Sequence, residues 1–204
     1  MLKHEVKRVY ELQNGGLKYH PSIVHFMRYK EEDILKQLQT DPQLGFRNLV
    51  AKYMRPVYWH VRRMVVSHDD AEDITQETFV RVYKSIGNFR GDSALSSWIY
   101  RIATNEALRA LSNRKDCVGI DDAGSDVFNL KADEYIDYHH VSEVKLQKAI
   151  HSLPTKQQLT FNLRYYDEME YSEIADITGA TAVTAKVNYH IAKRKIIEYM
   201  NSNE

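Results

Sequence analysis

The sequence predicts an all-α protein built from two small helical domains. Its 204 residues include only eight glycines and four prolines, and apolar side chains recur at helical spacing. Apolar residues make up 43% of the chain, which is enough for packed cores and too many for wholesale disorder. The length suits one large domain or two small ones, and segregation of charge along the chain favours two.

Composition also excludes several classes of protein and site. A single cysteine rules out a disulfide framework and a Cys-rich zinc module. No apolar run approaches the ~20 residues of a membrane span, and the first residues lack a signal-peptide core. Neither a phosphate-binding glycine loop nor a catalytic triad stands out. We therefore expect a cytoplasmic protein that is not an enzyme and that carries no metal or other cofactor.

The zero net charge of the chain conceals four segments of different charge. The net charge is +1 for residues 1–43, +5 for 44–115, −7 for 116–143 and +1 for 144–204. From these segments we predict an N-terminal extension of unknown role (1–29), a first domain (30–115), an acidic flexible linker (116–142) and a second domain (143–204). The linker composition is compatible with a merely solvated connector and with a segment that occupies a nucleic-acid channel. Two histidines and several acids in it could suggest a metal site, but we expect none there.

The first domain begins with three helical patterns. The first covers residues 31–39, and the second runs from Phe46 to Val66 with a kink or restart at Pro56. The third starts at an Asp69–Glu72 capping box, runs to Ile86 and ends at Gly87 in a left-handed conformation. The apolar face of the third helix consists of Ala71, Ile74, Thr78 and Val82. Its polar side carries Glu72, Asp73, Gln76 and Glu77. Such a side is either simply solvated or binds a partner.

A fourth helix follows the loop NFRGDS, from Ala94 to Leu111 with Asp92 or Ser93 as its cap. Its predicted apolar stripe is Leu95, Trp98, Ile99, Ile102 and Ala103, with Tyr100, Arg101, Thr104 and Asn105 around the remaining circumference. Trp98, at the edge of the stripe, is compatible with a core position and with a role in binding. Aromatic rings, amides and guanidiniums grouped beside Phe89 and Arg90 are typical of proteins that bind single-stranded nucleic acid. The basic charge of this domain favours that interpretation.

The second domain has the pattern of a helix-turn-helix. A helix over 142–152 ends at Leu153-Pro154, and a Thr155–Gln158 capping box starts the next one, whose apolar face is Leu159, Leu163 and Tyr166. Ser172 is the predicted cap of a short helix anchored by Ile174 and Ile177, Gly179 makes the turn, and Thr181 caps the last helix. A purely structural helical hairpin remains the alternative to DNA binding.

The last helix has two possible apolar stripes, and the choice decides which side chains face DNA. The stripe Val183, Val187, Ile191 ends after two turns, whereas Ala185, Tyr189, Ala192, Ile196 continues to Tyr199 or Met200. The longer stripe is predicted to face the core. Residues 182–197 also contain four basic side chains and no acid, as expected for a helix near phosphates. Asn188 could then read adenine, and Val187 and Ile191 could touch thymine methyl groups.

At this point two stretches resemble a known family. DDAEDITQETFVRVYKSIGNFRGDSALSSWIYRIATNEAL is similar to domain 2 of bacterial sigma-70 factors of the extracytoplasmic-function (ECF) group. HSLPTKQQLTFNLRYYDEMEYSEIADITGATAVTAKVNYHIAKRK resembles domain 4 of the same group. Together the stretches cover roughly residues 30–112 and 143–200, in the family order.

The resemblance implies a subunit that binds the clamp and flap of core RNA polymerase, recognises promoter DNA and helps to melt it. It places Glu72, Asp73, Gln76 and Glu77 on the polymerase interface. It places Arg90, Trp98, Arg101 and Asn105 on the −10 element, with Asn105 as a base-reading residue. For the −35 element it implies Arg164, Thr181, Lys186, Val187, Asn188, His190 and Ile191. It also implies a possible anti-sigma factor, often membrane-associated, and no small-molecule substrate.

The recognition helix departs from the common family pattern. Many relatives have Ser-Arg where this chain has Val187-Asn188, and Ile191 replaces a later arginine, so we expect a more apolar readout. Two other hypotheses compete with the sigma interpretation. One is a helix-turn-helix regulator that binds operator DNA without polymerase, and the other is a helical protein whose charged face binds another protein.

Overall fold

The structure is a computed structural model that describes residues 30–65, 67–117 and 138–202. Within them the chain forms eight α-helices, one short 3-10 helix and no strand. The α-helices are α1 (Glu31–Thr40), α2 (Pro42–Val65), α3 (His68–Ser85), α4 (Leu95–Cys117), α5 (Tyr138–His151), α6 (Thr155–Tyr165), α7 (Tyr171–Thr178) and α8 (Ala182–Asn201), and the 3-10 helix is Ile86–Asn88. The all-α prediction is confirmed. The predicted extension and residues 118–137 of the predicted linker lie outside the described residues, while both ends of that linker are helical, because α4 continues to Cys117 and α5 begins at Tyr138.

The chain divides into two compact units between Ala110 and Leu111. In the first unit, α2 supplies the central apolar stripe, because Leu49, Tyr53, Val57 and Val61 recur at every fourth residue and are all buried. On α1, Ile34 is fully buried, and the amide of Gln37 accepts a hydrogen bond from Asn48 Nδ2 (2.7 Å). These contacts pack α1 against the first half of α2.

α2 begins four residues earlier than predicted and continues through Pro56. Its start is explained by Asp41, whose Oδ1 accepts a hydrogen bond from the Leu44 N–H (3.1 Å), and by Pro42 in the first turn, where a missing N–H does no harm. The sequence pattern missed this start because Gly45 looks like a helix breaker. In the structure Gly45 is buried where α2 crosses the backbone of α1 at Gln37 and Leu38.

Other predicted helix ends were also wrong, although the helices themselves exist. Ser67, not Asp69, caps α3, and Gly87 lies in the 3-10 helix without a positive φ. The N-cap of α6 is Pro154, which has no side chain that can cap, and Gln158 hydrogen-bonds His151 Nδ1 (3.0 Å) instead of closing the predicted capping box. α7 is capped at Glu170, whose N–H donates to Glu173 Oε2 (2.8 Å), not at Ser172. α4 starts at Leu95, one residue after its predicted start.

The second unit is a helical cluster around one apolar core. Its buried members are Ala149, Ile150, Leu153, Phe161, Ala192 and Ile196. Tyr189, Tyr199 and Met200 of α8 pack against this core. α8 thereby contacts α5, α6 and α7, which fixes the side that it leaves outside. Among the described residues of both units, no helix combines the length and the apolar character needed to cross a membrane.

Candidate functional site

The polar side of α3 is the first candidate surface. Asp73 is exposed, while Gln76 and Glu77 are half-buried. Glu72 forms an ion pair with His68 Nε2 (3.2 Å), and Glu77 pairs with Arg81 Nε (3.6 Å). Solvent-exposed pairs one helical turn apart stabilise a helix by only about 0.3–0.5 kcal/mol, so a basic partner could displace them. The surface is therefore acidic, exposed and available for binding.

The opposite side of α3 fixes this orientation. Ala71, Ile74, Thr78 and Val82 are all buried, as predicted. The hydroxyl of Thr78 donates to the backbone carbonyl of Ile74 (2.8 Å), so it needs no partner from another helix. Since this apolar face is packed in the first unit, the polar side has no freedom to turn inward.

The loop after α3 and the outer face of α4 form the second candidate surface. Arg90 is exposed in the loop, next to Gly91, which has a left-handed φ of 78° that favours glycine. The half-buried Trp98 ring contacts Phe89, with centroids 5.3 Å apart and planes tilted by 54°. Trp98, Arg101 and Asn105 are three and four residues apart and therefore lie along one face of α4. Trp98 and Arg101 are half-buried, and Asn105 is exposed.

Arg101 has an unusual environment on this face. Its side chain is half-buried, and its Nε is buried with no hydrogen-bond partner among the described residues. A buried donor without a partner is costly, and functional sites are one place where such groups persist.

The prediction of which α4 side chains lie outside the apolar stripe was partly wrong. Tyr100 and Thr104 were expected around the remaining circumference, yet they are 5% and 2% exposed. The Thr104 hydroxyl is hydrogen-bonded to Nε2 of the fully buried His60 on α2 (2.9 Å), and the Tyr100 ring lies against the His60 ring with centroids 5.0 Å apart. Sequence reasoning missed His60, because a lone histidine in an apolar helix carries no local signal. These contacts fix the rotation of α4.

The helix-turn-helix forms the third candidate surface. Ile174 and Ile177 of α7 are buried, Gly179 has the left-handed φ of 67° that the turn requires, and the Thr181 hydroxyl accepts a hydrogen bond from the Thr184 N–H (3.1 Å). The glycine turn and the Thr181 cap were predicted correctly. Together the turn and the cap fix where α8 begins and in which direction it leaves the turn.

The structure confirms the choice of apolar stripe on α8. Ala185, Ala192 and Ile196 are buried, and Tyr189 packs on the core. The other side is outside: Val187 is 50% exposed, Lys186 and His190 are exposed, and Asn188 and Ile191 are half-buried. An aliphatic side chain that is half exposed between polar neighbours is suited to apolar contacts in a DNA groove.

Arg164, also predicted to contact DNA, already has partners within the second unit. Its Nη1 donates to the Met169 carbonyl (2.7 Å) and lies 3.5 Å from Glu170 Oε1, while the guanidinium lies 5.1 Å from the centre of the Tyr171 ring. Arg164 therefore holds the loop between α6 and α7. No local pattern in the sequence indicates this role, because it depends on a hydrogen bond across the loop.

Comparison with known proteins decides the family. The model for sigma-70 region 2 matches residues 49–116, and the model for sigma-70 region 4 matches residues 143–196. The chain is 31% identical over 166 residues to the ECF RNA polymerase sigma factor SigW of Bacillus subtilis, with 76% of this chain and 89% of that protein covered. The chain belongs to the ECF sigma factors.

Other relatives agree. This ECF sigma factor is 29% identical over 180 residues to the sigma-E factor of Escherichia coli, with 81% and 92% coverage. It is 26% identical over 181 residues to the sigma-H factor of Pseudomonas aeruginosa, with 82% and 92% coverage. Members of this family are non-enzymatic factors that direct RNA polymerase to promoters at the start of transcription.

Two solved structures have the same fold at low sequence identity. CnrH, solved in complex with the cytosolic domain of CnrY, has a TM-score of 0.66 at 17% identity, covering 85% of this chain and 99% of that chain. The sigma factor RpoE of Bartonella quintana, solved with the anti-sigma factor NepR, has a TM-score of 0.58 at 19% identity, covering 83% and 99%. The helical architecture of this ECF sigma factor is thus shared.

Proposed function

We propose that the three surfaces perform three separate tasks of this sigma factor. The polar side of α3 binds core RNA polymerase through Glu72, Asp73, Gln76 and Glu77. The outer face of α4 and its loop capture the −10 element through Arg90, Trp98, Arg101 and Asn105. The outer side of α8, with residues before it, reads the −35 element through Arg164, Thr181, Lys186, Val187, Asn188, His190 and Ile191. The corresponding domains are 30–115 and 143–204.

The arrangement on α4 carries this proposal. The outer face carries Trp98, Arg101 and Asn105. On the inner face, Thr104 is hydrogen-bonded to His60 and the Tyr100 ring packs against the His60 ring. Aromatic stacking on an unpaired base contributes about 1–3 kcal/mol, and this gain is lost in a paired duplex. Such a face therefore binds melted DNA better than duplex, and that difference in free energy is what drives strand opening.

Polymerase binding rests on charge and exposure. Asp73 has an exposed carboxylate with no cation paired to it among the described residues, in contrast to the neighbouring Glu72 and Glu77. An unpaired exposed acid does not lose an internal contact when it meets a basic partner. We therefore expect Asp73 to contribute more to polymerase affinity than its neighbours.

The −35 interface rests on the composition of the outer side of α8. Basic side chains suited to phosphates flank Val187 and Ile191, which are suited to thymine methyl groups. Arg164 would have to bind DNA through the part of its guanidinium that the loop leaves accessible, since 31% of its side chain is exposed.

We also propose a regulatory partner and a location. The neighbour from Bartonella quintana was solved with an anti-sigma factor, and CnrH with the cytosolic domain of CnrY, and we infer that an anti-sigma factor associated with the membrane binds this chain. The factor acts in the cytoplasm, where its polymerase transcribes. The acidic segment 116–142 connects the domains and follows a channel of the polymerase, as its negative charge suggests.

Reconstituted transcription tests the assignment. Core polymerase and promoter DNA are combined with the wild-type chain, Asp73→Ala, Asn105→Ala, and two controls with exposed residues outside the proposed surfaces, Asp33→Ala and Asn113→Ala. We expect Asp73→Ala to weaken core binding about tenfold, as central interface residues do. Asn105→Ala should leave core binding unchanged and reduce strand opening, and the controls should behave as wild type.

Three results would contradict the proposal. If Asp73→Ala and Asp33→Ala bind core polymerase equally well, the α3 surface is not the interface. If the isolated chain binds promoter duplex as tightly as it does with polymerase, the regulator hypothesis is correct instead. Reduced core binding by Asn105→Ala would show that α4 is not a separate DNA surface.

A further inference from the structure

An almost fully buried carboxylate connects α3 to α4. Glu106 of α4 has a side chain that is 9% exposed, and each of its oxygens faces a different arginine. Oε1 lies 2.8 Å from Nε of Arg81 on α3, and Oε2 accepts a hydrogen bond from Nη1 of Arg109 on α4 (3.1 Å). Neither Glu106 nor Arg109 has a role in the surfaces described above, and Arg81 enters them only as the partner of Glu77.

The two arginines differ in what they can do. Arg109 is three residues beyond Glu106 on the same helix, so its bond cannot restrain α4 relative to anything else. Arg81 belongs to another helix, so its ion pair with Glu106, a close charge contact in which Nε does not have hydrogen-bond geometry, restrains how α4 rotates and slides along α3. A buried carboxylate also depends strongly on its partners, because removing one leaves a charge with little solvation.

The position of this pair relative to the proposed surfaces is informative. On α3, Arg81 lies one turn beyond Glu77 and is within ion-pair distance of it (3.6 Å), at the edge of the proposed polymerase surface. On α4, Glu106 directly follows Asn105, the proposed base-reading residue. The contact therefore joins the helix that would bind polymerase to the helix that would bind melted DNA, beside the residues that do each.

We propose that the Arg81–Glu106 ion pair is a positioning contact that holds the base-capturing face of α4 in register with the polymerase-bound α3. The inference rests on the proposed function of the two helices. A sigma factor anchored through α3 must present its α4 face to DNA at a fixed place on the polymerase, because capture of unpaired bases tolerates little misalignment. Loss of Glu106 leaves both surfaces intact and loosens their alignment, whereas loss of Arg81 also frees Glu77 of an exposed pair that contributes little.

The test compares five variants of the full-length chain. Arg81→Gln and Glu106→Gln remove the pair, and the double variant removes both charges. Arg81→Lys keeps the charge, and Arg109→Gln is the matched control that breaks the bond within α4 only. Core binding is measured by fluorescence anisotropy of labelled sigma, and strand opening by 2-aminopurine fluorescence in the −10 element.

We expect Arg81→Gln and Glu106→Gln to bind core polymerase within twofold of wild type and to form five- to tenfold fewer open complexes. The double variant should be no worse than the more defective single variant, since both remove the same contact. Arg81→Lys should restore at least half of the opening activity, and Arg109→Gln should stay within twofold of wild type.

Several outcomes would overturn the positioning role. These are normal opening by Arg81→Gln, an equal defect in Arg109→Gln, and a loss of core binding parallel to the loss of opening, which would indicate general destabilisation. Failure of the proposed function looks different. In that case Asp73→Ala and Asn105→Ala do not separate binding from opening, whatever Arg81 does.

Discussion

A methyl group added at Gly45 should loosen the first unit of this sigma factor. The backbone of α1 passes so close to Gly45 that a Cβ there would lie 2.7 Å from Leu38 Cα and 2.8 Å from the carbonyl carbon of Gln37. Ordinary contacts of a Cβ begin at 3.4 Å. The backbone nitrogen of Leu38 would be closer still, and because all these atoms are backbone, α1 as a whole must shift by about 1 Å to relieve the overlap.

The expected magnitude is the difference between two opposing effects. Overpacking of a close-packed region costs about 1–3 kcal/mol, and rigid backbone places Gly45→Ala at the upper end. Alanine favours an α-helix over glycine by about 1 kcal/mol. The free energy of unfolding should thus fall by about 2 kcal/mol. A domain of 60–100 residues loses roughly 4–8 °C in melting temperature per kcal/mol, so a decrease of about 8–16 °C is expected.

Gly87→Ala is the matched control. Nothing lies within 4 Å of a Cβ at Gly87, and its φ is not positive, so this variant should melt within about 4 °C of wild type. Both tryptophans of the chain, Trp59 and Trp98, lie in the first unit, so tryptophan emission during heating follows that unit selectively. If Gly45→Ala melts at or above the temperature of Gly87→Ala, the close approach of α1 to α2 is wrong.

Two further predictions concern DNA readout and alkaline stability. Replacing one thymine of the −35 element by uracil removes a methyl group and should lower the DNA affinity of the wild-type holoenzyme about fivefold. The Val187→Ala holoenzyme should lose no affinity on this replacement, whereas the Val183→Ala control should lose as much as wild type. An equal loss of affinity in the two variants would refute contact between Val187 and the thymine methyl group. Burial and the hydrogen bond to Glu31 raise the pKa of Tyr53 well above its usual value, so its contribution to stability is complete below pH ~10 and declines as the pH rises. In urea unfolding, the stability advantage of wild type over Tyr53→Phe should therefore shrink by about 1.4 kcal/mol between pH 9 and 11, and an advantage that grows would contradict the raised pKa.

Much of this molecule could be anticipated from local patterns. The apolar spacing on α3 and α8 gave the correct buried faces, and Gly179 and Thr181 gave the correct turn and cap. These signals work because helical periodicity and capping depend on residues within a few positions of one another. The assignment of residues to polymerase and DNA came from resemblance and stays a prediction.

Where several local solutions compete, the sequence alone was insufficient. Ser67 and Asp69 are both good caps for α3, and Glu170 and Ser172 are both acceptable near the start of α7. Which residue of each pair becomes the N-cap depends on the position at which the preceding chain enters the helix. That entry is set by packing elsewhere in the unit, so no rule confined to the cap residues could choose correctly.

The sequence by itself determined an all-helical chain, a helix-turn-helix with a known outer side, and membership of the family. Tertiary structure decided that α4 turns Thr104 toward His60, that α1 crosses α2 at Gly45, and that Arg81 meets Glu106. The physical reason is distance along the chain. Apolar periodicity shows which side of a helix is buried, and it depends only on residues a few positions apart. A contact between two helices depends in addition on their relative rotation and register, which are fixed by close packing.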